Sequence, residues 1–151
     1  MNQFNLTGKT ALITGGAGLL GVKHAEAILE HGGNVILADI NSTAAIVKAD
    51  ELRKKKYGNG KVYGIYIDVT KKETIEKVAN SFDVIDILIN NAAKDPKVTK
   101  EGGLTSETRF ETMAEQYWKE GIDAIINGTF LCSQVIANKM LKQGHGNIIN
   151  I

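Results

Sequence analysis

The chain has 151 residues, 43% hydrophobic and 23% charged, and its 18 Lys and Arg against 17 Asp and Glu leave a formal net charge of +1. That is enough apolar material for one globular core, which excludes a disordered or fibrous chain, and the even charge disfavours nucleic acid and anionic membrane as partners. One cysteine, Cys132, cannot close an internal disulfide, and His24, His31 and His145 show no metal-ligand spacing, so a reducing cytoplasm and no metal are expected.

From the N-terminus, the apolar period switches between strand-like runs and helix-like spacing. Thr10 to Thr14 is a short apolar strand that stops at glycine. Val22, Ala25, Ile28 and Leu29 then recur at helical spacing until His31-Gly32-Gly33 ends that helix. Val35 to Ala38 is a second buried strand closing on Asp39, and Ser42 caps a helix expected to run to about Tyr57. A Gly58-Asn59-Gly60 turn leads into a third strand, Val62 to Ile67. Thr70-Lys71-Lys72-Glu73 reads as a capping box that opens a helix with Ile75, Val78 and Phe82 on one face. Ile85 to Ile89 makes a fourth strand, followed by a loop from Lys94 to about Thr112 long enough to suggest function. Ala114 to about Lys142 reads as one long helix with Ile122, Ile125, Ile126 and Phe130 inward, and Ile148 to Ile151 as a fifth strand.

Continuous apolar strands joined by helices imply a parallel sheet covered on both faces, because an exposed face would show alternation. The expected fold class is therefore a doubly wound α/β sheet, with strand order 3-2-1-4-5 and the chain stopping on the fifth strand.

The residues from Thr14 to Gly21 lie between the first strand and the first helix. Glycines there let the backbone turn sharply and approach a pyrophosphate, held by free N–H groups at the positive end of the helix dipole. Gly15, Gly16, Gly18, Leu20 and Gly21 are the expected backbone contacts. Asp39 follows Gly15 by 24 residues at the tip of the second strand, placed to accept hydrogen bonds from ribose hydroxyls. Its charge would repel a 2′-phosphate, and no Arg sits beside it, so NAD is favoured over NADP. A P-loop is excluded because Val22, not Lys, follows Gly21, and a methyltransferase would usually carry an acid where Thr14 stands.

These residues resemble the short-chain dehydrogenase/reductase family. Thr14, Gly15, Gly18 and Gly21 match its T-G-x-x-G-x-x-G form, Asp68-Val69-Thr70 its adenine-contacting motif, and Asn90-Asn91-Ala92-Ala93 its N-N-A-G with Ala93 for Gly. His145 to Ile151 resembles its strand leading to the catalytic serine. The resemblance implies a Rossmann domain over 1–151, cofactor contacts at Ile40, Asp68, Val69, Asn91, Ala92 and Ala93, and hydride transfer between a nicotinamide and an alcohol or carbonyl substrate. It also implies homo-oligomers through the 114–142 helix. Asn90 has a second reading, as a residue that satisfies backbone groups between strands.

In that family a Tyr four residues before a Lys moves the proton, and a Ser past the fifth strand holds the substrate oxygen. The chain stops at Ile151, before either, so the resemblance implies the cofactor-binding part alone, without turnover; a dinucleotide-binding module or sensor is the alternative. The one Y-x-x-x-K, Tyr57 to Lys61, contains a turn and precedes a strand, which disqualifies it, and Ser133 belongs to a helix. The family's fourth catalytic residue, an Asn, falls on Ile125, with Asn127 two positions away. Asp95-Pro96-Lys97, Arg109-Phe110-Glu111 and Gly128 to Gln134 most resemble members from bacterial surface-glycan and flagellin modification.

Overall fold

Leu12 and Ile13 are both fully buried, yet they face opposite sides of one sheet. The computed structural model describes residues 4–55, 57–94 and 109–151. Its strands are β1 (Thr10–Thr14), β2 (Asn34–Asp39), β3 (Val62–Tyr66), β4 (Ile87–Asn90) and β5 (Asn147–Asn150). Between them run α1 (Leu19–Glu30), α2 (Ser42–Lys54), α3 (Lys72–Ser81), α4 (Glu115–Ile122) and α5 (Gly128–Gln143). Every pairing is parallel and the order is β3-β2-β1-β4-β5, as the apolar runs implied.

The register explains why these strands look uniformly apolar. Leu12 aligns with Ile36 and Leu88 in a layer that packs on Ile75 and Val78 of α3 and on Cys132 and Ile136 of α5. Ile13 aligns with Leu37 and Ile89 in the opposite layer, against Ala25 and Leu29 of α1 and Ala49 and Leu52 of α2. With both faces covered, the central strands carry polar residues only at their ends, such as Thr14 and Asn90. Each such Leu or Ile contributes about 1.5–3 kcal/mol on burial.

Local chemistry sets the element ends. α1 closes in a Schellman arrangement: Gly32, at φ +84°, donates to the Leu29 carbonyl and Gly33 to that of Ile28. At the strands' N-terminal end, the buried Asp86 accepts from Lys9 Nζ at 2.9 Å, Thr10 N–H at 2.9 Å and His145 Nε2 at 3.0 Å, joining the starts of β1, β4 and β5. Burial works to raise this carboxyl, and those three donors outweigh it and hold it below the usual range. α2 lies so close on β3 that a Cβ at Gly64 would stand 2.4 Å from the Ala45 carbonyl oxygen.

Several expectations are corrected. α2 is capped by Asn41, whose side chain accepts from Ala44 N–H, rather than by Ser42, and it ends at Lys54. No capping box forms at Thr70, because its hydroxyl is drawn to Asp68 Oδ1 at 2.7 Å; Thr74 instead bonds back to the Asp68 backbone and α3 starts at Lys72. β3 stops at Tyr66 and β4 begins at Ile87.

The long helix is interrupted by a five-residue π-turn, Asp123–Asn127, closed by Gly128 N–H on the Asp123 carbonyl. Its inward row is Gly128, Cys132, Ile136 and Met140, at four-residue spacing. Ile122, Ile125 and Ile126, before that row, and Phe130, between its first two members, are 38%, 43%, 58% and 61% exposed, not inward. Of the loop from Lys94 to Thr112, residues 95–108, including Asp95-Pro96-Lys97, lie outside the described residues. Among the described residues no helix is long and apolar enough to cross a membrane.

Candidate cofactor site

Parallel strands bring their C-terminal tips to one edge of the sheet, and β1, β2 and β4 meet there around the glycine turn. Thr14, buried at the tip of β1, is the hub. Its Oγ1 donates to the Ile89 carbonyl at 3.4 Å and accepts the N–H groups of Asn91 at 3.0 Å and Ala92 at 3.1 Å. The Asn91 amide returns two bonds, to the carbonyls of Thr14 at 3.0 Å and Gly15 at 3.1 Å. Asn91 thus serves the backbone between strands, the role one reading gave to Asn90. Asn90 instead donates to Ser133 Oγ at 3.0 Å and Asn150 Oδ1 at 2.8 Å, tying β4 to α5 and β5.

The glycines divide by what they do. Gly15 has φ +60° and sits so near Ala92 that a Cβ would come within 2.9 Å of its Cα. Gly16 donates to the Ala38 carbonyl and packs on Leu37, and Gly18 donates to the Gly15 carbonyl, so both amides are spent inside the turn. A Cβ at Gly21 would lie 2.5 Å from the Gly15 carbonyl oxygen. Gly18 is the N-cap of α1, and the first intrahelical bond is Val22 N–H to its carbonyl. Leu19, Leu20 and Gly21 therefore offer the first-turn amides that a helix leaves without internal partners. Leu19, 81% exposed, is the one of these three that the sequence reading passed over, since the glycine pattern marks the turn but not where the helix begins.

Asp39 is fixed on both oxygens: Oδ2 accepts Ala17 N–H at 3.1 Å and Oδ1 accepts Asn41 N–H at 2.9 Å. Each oxygen retains acceptor capacity, enough for two ribose hydroxyls. Asp68 Oδ1 is held by the N–H and hydroxyl of Thr70. These tips enclose a cavity of about 330 Å³ lined by Gly15, Asp39, Ile40, Asp68, Val69, Ala92 and Ala93 among others, within the size range of small-molecule sites. Its wall also includes Lys94, Glu120 and Ala124, which no sequence pattern had marked because they meet across distant segments. Gly128 lets the helix approach: a Cβ there would stand 2.6 Å from Val69 Cγ2.

Tyr57 and Lys61 lie at the other end of the sheet, before β3, and Tyr57 bonds to Glu26 Oε1 at 3.0 Å. Glu26, buried on α1, also accepts from Lys23 and Lys55 at 2.7 Å each. Those two lysines, with Tyr57, pull its carboxyl down to about 2 against the opposing effect of burial. Ser133 is on α5, and Ile125 occupies the π-turn. Among the described residues no His, Cys, Asp and Glu cluster could hold a metal ion.

A parallel sheet in this order, a glycine turn feeding a helix N-terminus and an acid at the tip of the adjacent strand define a doubly wound dinucleotide-binding domain. The chain belongs to the short chain dehydrogenase family, whose model matches residues 9–151. It is 32% identical over 153 residues to an NAD-dependent glycerol dehydrogenase of Listeria innocua, covering 99% of this chain and 54% of that protein. It is 33% identical to a 3-oxoacyl-(acyl-carrier-protein) reductase of Aquifex aeolicus, covering 99% and 57%. A solved short-chain type dehydrogenase/reductase from Mycobacterium marinum matches with a TM-score of 0.81 at 32% identity, over 97% of this chain and 56% of that one. A gluconate 5-dehydrogenase from Burkholderia cenocepacia, in complex with NADP and tartrate, matches at 0.80 and 25% identity, over 99% and 55%. The chain spans about half the length of the curated relatives it matches.

Proposed function

We propose that this chain binds NAD in preference to NADP and forms the cofactor-binding part of an oxidoreductase acting on an alcohol or carbonyl. Bound there, the dinucleotide would supply a nicotinamide ring that takes up or delivers hydride. The chain's own residues supply the rest of the binding. The first-turn amides of Leu19, Leu20 and Gly21 face an anion with the helix dipole behind them, Asp39 accepts from the adenosine ribose, and Ile40, Asp68 and Val69 flank the adenine. Gly15, Gly16 and Gly18 set the turn's shape, and Asn91 with Ala92 and Ala93 forms the floor.

The observation that carries the reading is the double backbone clamp on Asp39, which aims a fixed negative charge where a 2′-phosphate would sit. Arg53, the one arginine of α2, bonds to the Val62 carbonyl at the start of β3, the opposite end of the sheet from Asp39, and does not offset it. Titration with NADH and NADPH tests this: NADH binds tighter by about ten-fold or more, and Asp39→Asn narrows the gap. Tighter NADPH binding by the wild-type chain refutes the role of Asp39. The same proposal places the protein in the cytoplasm and predicts no turnover by these 151 residues alone, because the proton-transfer pair that the family resemblance requires has no match in them. It also assigns the exposed Ile122, Ile126 and Phe130 to contact between copies, which sedimentation of the chain would register. The likeness to glycan-modifying members rests on sequence segments alone.

A further inference from the structure

The cleft carries an ion pair that the dinucleotide reading leaves unused. Lys94, just past Ala93 at the tip of β4, pairs with Glu120 of α4, and its ammonium stands 4.0 Å from the centre of the Tyr117 ring. Gln116 Nε2 steadies the same carboxylate from one helical turn away, at 2.9 Å from Oε1. Both Lys94 and Glu120 line the cavity that contains Asp39 and Asp68. Among the described residues of that lining there are three carboxylates and one ammonium, so Lys94 is the sole cation facing the ligand.

We propose that Glu120 is a second determinant of cofactor choice: by holding the Lys94 ammonium it makes the cavity more anionic and disfavours a dinucleotide that carries an additional phosphate. The proposal rests on the dinucleotide reading above but concerns a different element. Asp39 acts at the tip of β2, next to the ribose, whereas Glu120 acts from the helix side by neutralising the one charge able to offset Asp39. Lys94 and Gln116 keep the Glu120 carboxyl below its ordinary range, so it stays ionised throughout the neutral region. The physical basis is the cavity's summed field. A 2′-phosphate adds up to two negative charges to the ligand, so any change in lining charge moves NADPH affinity more than NADH affinity.

The pair is partly exposed, at 31% for the Lys94 side chain and 48% for that of Glu120. Such pairs hold their partners by no more than about five-fold, which bounds the effect. Glu120→Gln frees the ammonium and removes one negative charge, and Lys94→Met removes the cation and makes the cavity more anionic. Dissociation constants for NADH and NADPH are measured on the wild-type chain, both single variants and the double variant, with thermal unfolding confirming that each is folded. Glu120→Gln shifts the NADPH-to-NADH ratio toward NADPH by about three- to five-fold, Lys94→Met shifts it the other way, and the double variant lies between them. Both shifts shrink in 1 M salt, where the screening length falls to about 3 Å. An NADH-preferring chain whose ratio is unmoved by Glu120→Gln, or moved in the same direction by both single variants, overturns this proposal alone. A wild-type chain that binds neither dinucleotide overturns it together with the reading beneath it.

Discussion

Replacing Gly21 by Ala puts the cofactor geometry under the sharpest test. The added Cβ would lie 2.5 Å from the Gly15 carbonyl oxygen, 2.8 Å from Gly16 Cα and 3.0 Å from Gly16 C, all backbone, so no flexible side chain can swing aside. Side-chain Cβ atoms essentially never approach closer than 3.0 Å, so the turn must open by at least half an ångström. That shift moves the first-turn amides of α1 relative to Gly15 and Asp39. Overpacking costs about 1–3 kcal/mol, partly offset by the ~0.5–1 kcal/mol that Ala gains over Gly in a helix. Affinity suffers more, because one misdirected amide loses a hydrogen bond to a charged group, about 1.5–3 kcal/mol, or roughly ten- to a hundred-fold in Kd. Calorimetric titration of NADH beside thermal melts separates the two effects. Gly18→Ala is the internal comparison: its Cβ would meet only the Gly15 oxygen, at 3.2 Å, and binding falls by less than about three-fold. Gly121→Ala, with nothing within 4 Å, leaves binding unchanged. A folded Gly21→Ala chain that binds NADH like the wild type refutes the assignment of the turn.

Three further outcomes follow from groups outside the cleft. Because Glu26 titrates near 2 in the folded chain against a usual 4.5, its stabilisation is complete above pH 4.5 and lost as pH falls toward 2. Linkage bounds it at about 3 kcal/mol, cut to about 1 by solvent around the half-exposed lysines, and Glu26→Gln should flatten that part of the acid-unfolding curve. Burial pushes the Cys132 thiol up to about 12, so a thiol reagent at pH 8 should label it only at the rate of unfolding; prompt labelling of the native chain would contradict its place between α5 and the sheet. Gly64→Ala forces a Cβ to 2.4 Å from the Ala45 carbonyl oxygen, and chemical denaturation should show a loss of about 1–3 kcal/mol with cofactor selectivity unchanged.

The sheet was legible because a doubly covered parallel strand writes itself as an unbroken apolar run, as Val35 to Ala38 does. The glycine turn and the place of Asp39 at the tip of β2 were legible because both depend on residue type at fixed spacing. The helix from Ala114 onward misled because it has two apolar stripes. Periodicity marks a stripe but not which one meets the sheet, and the small residues Gly128 and Cys132 won that face by allowing close approach. The caps failed for a related reason: Ser42 and Thr70 are good cap types, but Asn41 and Asp68 lay within reach of the same backbone groups or hydroxyl. Lys94 and Glu120 pair across 26 residues, and local pattern carries no signal for such a contact.

The Thr14 hydroxyl bonds to three backbone groups at the end of β4 at once, and the Asn91 side chain ties that segment back to β1 and the glycine turn. The tips of β1 and β4 therefore behave as one rigid block, and any change of backbone position there is felt by the glycine turn. Lys94, a few residues further on, pairs with the Glu120 and Tyr117 side chains of α4, both away from that block. Mutational freedom is split accordingly: the floor of the cleft is closed to variation, while its rim can change charge at little cost to stability. A lineage could retune which dinucleotide it accepts at the rim while the floor stays fixed.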